Sequence, residues 1–94
     1  MQISTHIYAI LLTHDKFSQF TSKKIVDGHE STEMIVALTA DSRNAVDELM
    51  ATALSNGAVE ANRAVDQGWM YGRAFHDLDG HIWETVWLDQ SYLS

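Results

Sequence analysis

Apolar residues recur along this chain with two periods, and the change of period marks its elements. Residues 3–12, Ile-Ser-Thr-His-Ile-Tyr-Ala-Ile-Leu-Leu, are rich in β-branched and aromatic side chains, which favours a strand. Ile7, Ala9 and Leu11 fall on one face of it; Tyr8, Ile10 and Leu12 fall on the other. Both faces are apolar, so the pattern predicts cover on both sides. Phe17 and Phe20, three apart, suit one helical turn within residues 15–20. Residues 21–33 are polar around Asp27-Gly28 and read as a mobile loop.

A second strand is predicted over residues 34–39. Asp41 or Ser42 then caps a helix in which Val46, Leu49, Met50, Ala53 and Leu54 form one buried stripe. Asn56-Gly57 ends that helix, with Gly57 suited to the left-handed position. Residues 58–64 are a weaker strand candidate, and Gln67-Gly68 breaks the chain. Residues 70–76 and 81–88 form a final hairpin turning at Asp77-Leu78-Asp79-Gly80. The predicted fold class is α+β: one N-terminal strand, then a βαβββ module whose mostly antiparallel sheet packs on one main helix.

The hairpin carries the most informative chemistry. Ile82, Glu84, Val86 and Leu88 share one face of the last strand, so a carboxylate stands in an apolar row. An ionisable group there is costly unless it is paired or bound to a metal. Trp83, Thr85 and Trp87 share the other face, where the tryptophans have large bodies to bury against the helix or a partner chain. What lies opposite Glu84 depends on the loop. A loop of two or four residues puts Arg73 and Phe75 on its face; a loop of three puts Ala74 there instead. The even loop is favoured because it gives Glu84 a cross-strand ion pair with Arg73. Under that reading the pair is structural; the functional reading makes Glu84 a metal ligand or general base.

Charge and composition narrow the field. The chain has 94 residues, 6 basic and 13 acidic, for a formal net charge of −7. That balance argues against a nucleic-acid or anionic-membrane partner. One small domain has a thin stability margin, which a dimer interface would widen. There is no cysteine, hence no disulfide framework, thiol nucleophile or thiolate metal site, in keeping with a cytoplasmic protein. Five histidines are present without metal-ligand spacing: His6 and His14 lie too far apart, His29 is in the loop, and His76 and His81 flank the final turn. No Gly-rich phosphate loop or nucleophile elbow occurs.

The segment Phe75-His-Asp-Leu-Asp-Gly-His-Ile-Trp-Glu84 resembles the closing motif of the glyoxalase / bleomycin-resistance / dioxygenase family, the vicinal oxygen chelate superfamily. Leu78 stands where that family often has Pro. Upstream, residues 7–17 and 34–42 look like its glyoxalase-like subgroup, so the resemblance covers almost the whole chain. It implies a domain of two βαβββ modules whose sheets enclose a cup. Residues 34–88 match the second module and residues 3–13 the last strand of the first. The rest of the first module has no counterpart in the chain, so the resemblance implies a truncated domain that closes as a homodimer with a second copy.

Among the family's metal-ligand positions only Glu84 matches by residue; Leu11 and Ile35 stand at two others, and neither can bind a cation. The expected function is therefore small-molecule binding of the bleomycin-resistance type, with no cofactor and no metal. Ile7, Ala9, Leu11, Ile35 and Ala37 would line the cup, and Tyr71, Arg73, Phe75 and Glu84 would supply aromatic and polar contacts. Arg73 would suit an anionic group and Glu84 a cationic one. Two alternatives stand beside it. One is a metal-dependent lyase, isomerase or dioxygenase with Glu84 as ligand or base, of lactoylglutathione lyase-like activity if an enzyme. The other is a truncated remnant that binds nothing.

Overall fold

A computed structural model of the chain describes Ile3, His6 and residues 8–93. The elements run α1 (His14–Phe17), β1 (Ile35–Ala40), α2 (Arg43–Ser55), β2 (Val59–Glu60), β3 (Val65–Asp66), β4 (Met70–His76), β5 (Ile82–Leu88) and α3 (Gln90–Leu93). The fold is α+β. Five strands form one mixed sheet in the order β1-β5-β4-β2, with β3 also on β4. Among the described strands the β1–β5 pairing is parallel, whereas β2 and β3 on β4, and β4 on β5, are antiparallel. The parallel pairing demands a crossover, and α2 supplies it, packing on one face of β4 and β5.

Local signals explain α2. The Ser42 hydroxyl accepts from the Ala45 backbone N–H at 3.0 Å, so Ser42, rather than Asp41, is the cap. At the far end Asn56 closes the last turn and Gly57 takes φ +100°, which a side chain would resist. The predicted stripe is the buried one: Val46 and Met50 are fully enclosed, Leu49 and Ala53 half-buried, and Leu54 lies at its exposed margin.

Alternation then sorts every strand residue. Val36, Leu38 and Ala40 of β1, Tyr71, Arg73 and Phe75 of β4, and Trp83, Thr85 and Trp87 of β5 face the helix. Ile35, Ala37, Thr39, Gly72, Ala74, Ile82, Glu84 and Val86 face the other way, where no described helix packs, although Gly72 and Ala74 are buried there. We call these the helix face and the open face.

On the helix face Arg43 ties the layers together. Its guanidinium makes a bidentate pair with Asp66 (2.7 and 2.8 Å) and sits 5.2 Å from the Tyr71 ring centroid and 5.1 Å from that of Trp87. The burial expected for Trp87 thus comes partly from stacking on this cation.

Two of the larger expectations fail. The strand predicted over residues 3–13 does not form among its described residues: Tyr8 makes an isolated bridge and residues 9–13 are irregular. An all-apolar strand needs cover on both faces, and here Ile10 is 80% exposed and Leu11 73%. Ile7 lies outside the described residues. The predicted single turn near Phe17 does form as α1, capped by the Thr13 hydroxyl on the Lys16 N–H.

The second failure is the parity of the hairpin loop. His76 pairs with Ile82, leaving residues 77–81, an odd number, and Ala74 lies opposite Glu84 while Arg73 lies opposite Thr85. The physical cause is Gly80. The Gly80 N–H donates to the Asp77 carbonyl (3.0 Å), the Asp77 N–H donates to the His81 carbonyl (2.9 Å), and Gly80 takes φ +86°. That is a turn followed by a left-handed residue, the usual three-residue hairpin loop. Asp77 reinforces it, accepting at one carboxylate oxygen from the Asp79 and His81 N–H groups and at the other from the Trp83 indole (2.8 Å).

Candidate functional site

The odd loop redistributes the residues expected to form one site. Glu84 and Ile35 lie on the open face, as do Ala37 and Ala74. Tyr71 and Arg73 lie on the helix face, in a polar network of their own. The Tyr71 hydroxyl donates to Asp47 Oδ1 at 2.6 Å, and Arg73 reaches the same oxygen at 3.1 Å and Glu60 Oε2 at 2.9 Å. Phe75 also lies on the helix face. With Leu11, Phe17, Val36, Leu38 and Trp83 it lines an apolar groove of about 520 Å³ at one edge of that face. The expected Arg73–Glu84 ion pair is therefore absent, because the two side chains point to opposite sides of the sheet.

The helix-face network shows in its acid–base chemistry. The Tyr71 hydrogen bond, and then Arg73, hold the Asp47 carboxyl below its usual range, and the same bond raises the Tyr71 phenol. The Arg43 pair, helped by the Gly68 N–H, holds Asp66 down to about 2. These groups are committed to one another and hold α2 and β3 on β4.

Glu84 has no such partner. Among the described residues its carboxylate makes no hydrogen bond or ion pair, although the residue is half-buried. Around it the open face is apolar: Ile35 is 49% exposed, Val65 45% and Val59 63%. Ala74, opposite Glu84, is the one open-face hydrophobe that is nearly enclosed.

One feature of the site was not legible in the sequence. Residues 58–64, predicted as a strand, split instead. Glu60 pairs with Phe75, the Ala61 N–H donates to the Ala74 carbonyl (3.0 Å), and Val65 pairs with Gly72. From 61 to 65 the outer chain takes four steps where β4 takes two, so residues 62–64 form a bulge. The bulge brings Asn62 and Arg63 to a cleft of about 100 Å³ that Gly72, Ala74, Glu84 and Val86 also line. The only sequence signal was a polar pair, Asn62-Arg63, set between apolar neighbours.

The donor set does not suit a divalent ion. Among the described residues no group of three or more His, Asp or Glu could hold one. The residues flanking Glu84 on its face, Ala37, Ala74, Ile82 and Val86, offer no ligand atom. Even two Glu84 carboxylates brought together fall short of the His and Glu sets that catalytic ions use. No helix among the described residues is long and apolar enough to cross a membrane.

Neither a family model nor a curated protein matches the sequence. Solved structures do match the fold. A hypothetical protein from S. aureus aligns with TM-score 0.64 and 22% identity over 77% of this chain and 54% of its own. A glyoxalase/bleomycin resistance protein/dioxygenase family enzyme from Burkholderia phytofirmans PsJN aligns with TM-score 0.57 and 16% identity over 79% of this chain and 54% of its own. The chain thus shares the fold of these two structures, and it spans about half the length of each.

Proposed function

We propose that this chain is a small-molecule-binding protein, that its binding surface is the open face of the sheet, and that a second copy of the chain completes the cup. One observation carries the reading: a half-buried carboxylate without a partner, Glu84, stands in an apolar sheet face that no described element covers. Leaving such a face in water forgoes roughly 1.5–3 kcal/mol for each large apolar side chain that a partner would enclose. A two-fold pairing of open faces encloses Ile35, Val65, Ile82 and Val86 from both copies and leaves the cavity lined mostly by hydrocarbon with few polar groups, the usual make-up of a ligand site. The family name borne by the Burkholderia protein supports a ligand-binding face; it does not bring a reaction with it. With one ligating residue per chain, binding here needs no resident metal.

Sedimentation equilibrium tests this directly. The wild type is expected at about twice 10.6 kDa. Val86→Lys, which places a charge in the middle of the open face, is expected to yield monomers that keep their circular dichroism. A wild-type protein that stays at monomer mass at high concentration, with a cooperative melt, refutes the cup.

A further inference from the structure

Glu84 is not the only unspent charge on the open face. Arg63, an exposed residue of the bulge, lines the same small cleft and likewise makes no ion pair among the described residues. The other arginines of this region behave differently: Arg43 is held by Asp66 and Arg73 by Asp47 and Glu60. The cleft is thus lined by one carboxylate and one guanidinium that make no ion pair among the described residues, Glu84 and Arg63, beside the already paired Arg73, with Gly72 and Ala74 adding minimal side chains. A side chain at Gly72 would find only ordinary contact with Val86 (3.5 Å), so the glycine there is not forced by crowding.

From this arrangement we infer that the ligand is a small zwitterion, an α-amino acid with an apolar side chain. Glu84 takes the ammonium and Arg63 the carboxylate, in charge-assisted hydrogen bonds. The cleft, about 100 Å³, has room for the charged head group alone. Val65, Met70 and Val86 line the same cleft, so an aliphatic side chain leaving it meets hydrocarbon. The minimal side chains of Gly72 and Ala74 let the head group approach the β4 backbone. A bulge that turns polar side chains toward a site is a recurring device of sheets, and here it converts an edge strand into a carboxylate clamp. The inference rests on the proposed use of the open face and adds to it the class of ligand.

The test is calorimetric titration of the full chain with L-leucine, isoamylamine and isocaproate, which share an apolar skeleton and differ in charge. L-Leucine is expected to bind and to raise the melting temperature with concentration. Each singly charged analogue, and L-leucine against Glu84→Gln or Arg63→Gln, is expected to bind at least about tenfold more weakly, the loss of one charge-assisted contact. Both variants alter side chains with access to solvent, and their melts serve as the folding control. If isoamylamine binds as tightly as L-leucine and Arg63→Gln changes nothing, the site is a cation site. The zwitterion inference then falls while the ligand-binding reading stands. If no probe binds and a double-mutant cycle in stability shows Arg63 and Glu84 coupled, the two simply pair with each other and the inference is refuted. Failure of the ligand-binding reading itself is read separately, by a monomeric mass in sedimentation.

Discussion

Replacing Thr85 by Val should stabilise this protein, although Thr85 is among its most enclosed residues. Thr85 is 0% exposed, on the helix face of β5, and its hydroxyl has no hydrogen-bond partner among the described residues. A hydroxyl withdrawn from water and left unpaired costs about 1–3 kcal/mol. Valine keeps the β-branched shape and the strand preference and puts a methyl where the oxygen was, so no cavity opens. The neighbours are otherwise paired: Arg73, across the ladder, is held by Asp47 and Glu60, so the valine removes no contact from it. Taking the lower half of the range, since protein interiors relax, the gain is about 1–2 kcal/mol. In a domain of this size each kcal/mol moves the melting temperature by about 4–8 °C. Differential scanning calorimetry of wild type, Thr85→Val and Thr85→Ser measures it. Serine keeps the unpaired hydroxyl and loses a methyl, so it should destabilise by about 1 kcal/mol. A valine variant that melts at or below the wild type would show that the hydroxyl is satisfied in solution, and the argument would fail.

Other outcomes follow from the same geometry. Gly80→Ala should cost well over about 1 kcal/mol by chemical denaturation, because φ is +86° and the new methyl would meet the Gly28 backbone at 2.6 Å. Glu84→Gln should leave the melting temperature nearly unchanged in the absence of ligand, since no ion pair is lost; a large drop would mean an unseen partner. Asp66 has a folded-state pKa of about 2, below its ordinary 3.8, so its contribution is present above the unfolded value and is lost as pH falls from about 4 to about 2. Asp66→Asn should flatten acid denaturation across that window, as followed by circular dichroism. The phenol of Tyr71 is raised above its ordinary value by its bond to Asp47, so ultraviolet titration should find a late-ionising phenol, and Asp47→Asn should bring that phenol back down.

The parts of the fold legible in the sequence are those set by local chemistry. Ser42, the stripe from Val46 to Leu54 and Gly57 fix α2 without reference to the rest of the chain. The apolar runs on either side of Asp77-Leu78-Asp79-Gly80 fix the hairpin. Which residues share a face with Glu84 was harder to read, because one residue of loop length exchanges the two faces of a strand. The Gly at position 80 held the answer: with Asp77 as the turn acceptor, it marks a left-handed position after the turn. The segment at residues 3–13 misled through composition, since β-branched content says what a strand is made of and not whether anything stands beside it. The bulge at residues 62–64 depends on pairing with β4, a non-local event that no window of sequence contains.

Arg43, Asp47, Glu60, Asp66, Tyr71 and Arg73 all do their work on one side of a single layer of strands, while Arg63 and Glu84 stand on the reverse. On the proposed use of the open face, the electrostatics of staying folded and the electrostatics of recognition are kept apart by the thickness of a backbone. A protein so arranged can accumulate substitutions that retune a ligand on one side without loosening the joinery on the other, so the proposed specificity would be free to drift at little cost to the architecture.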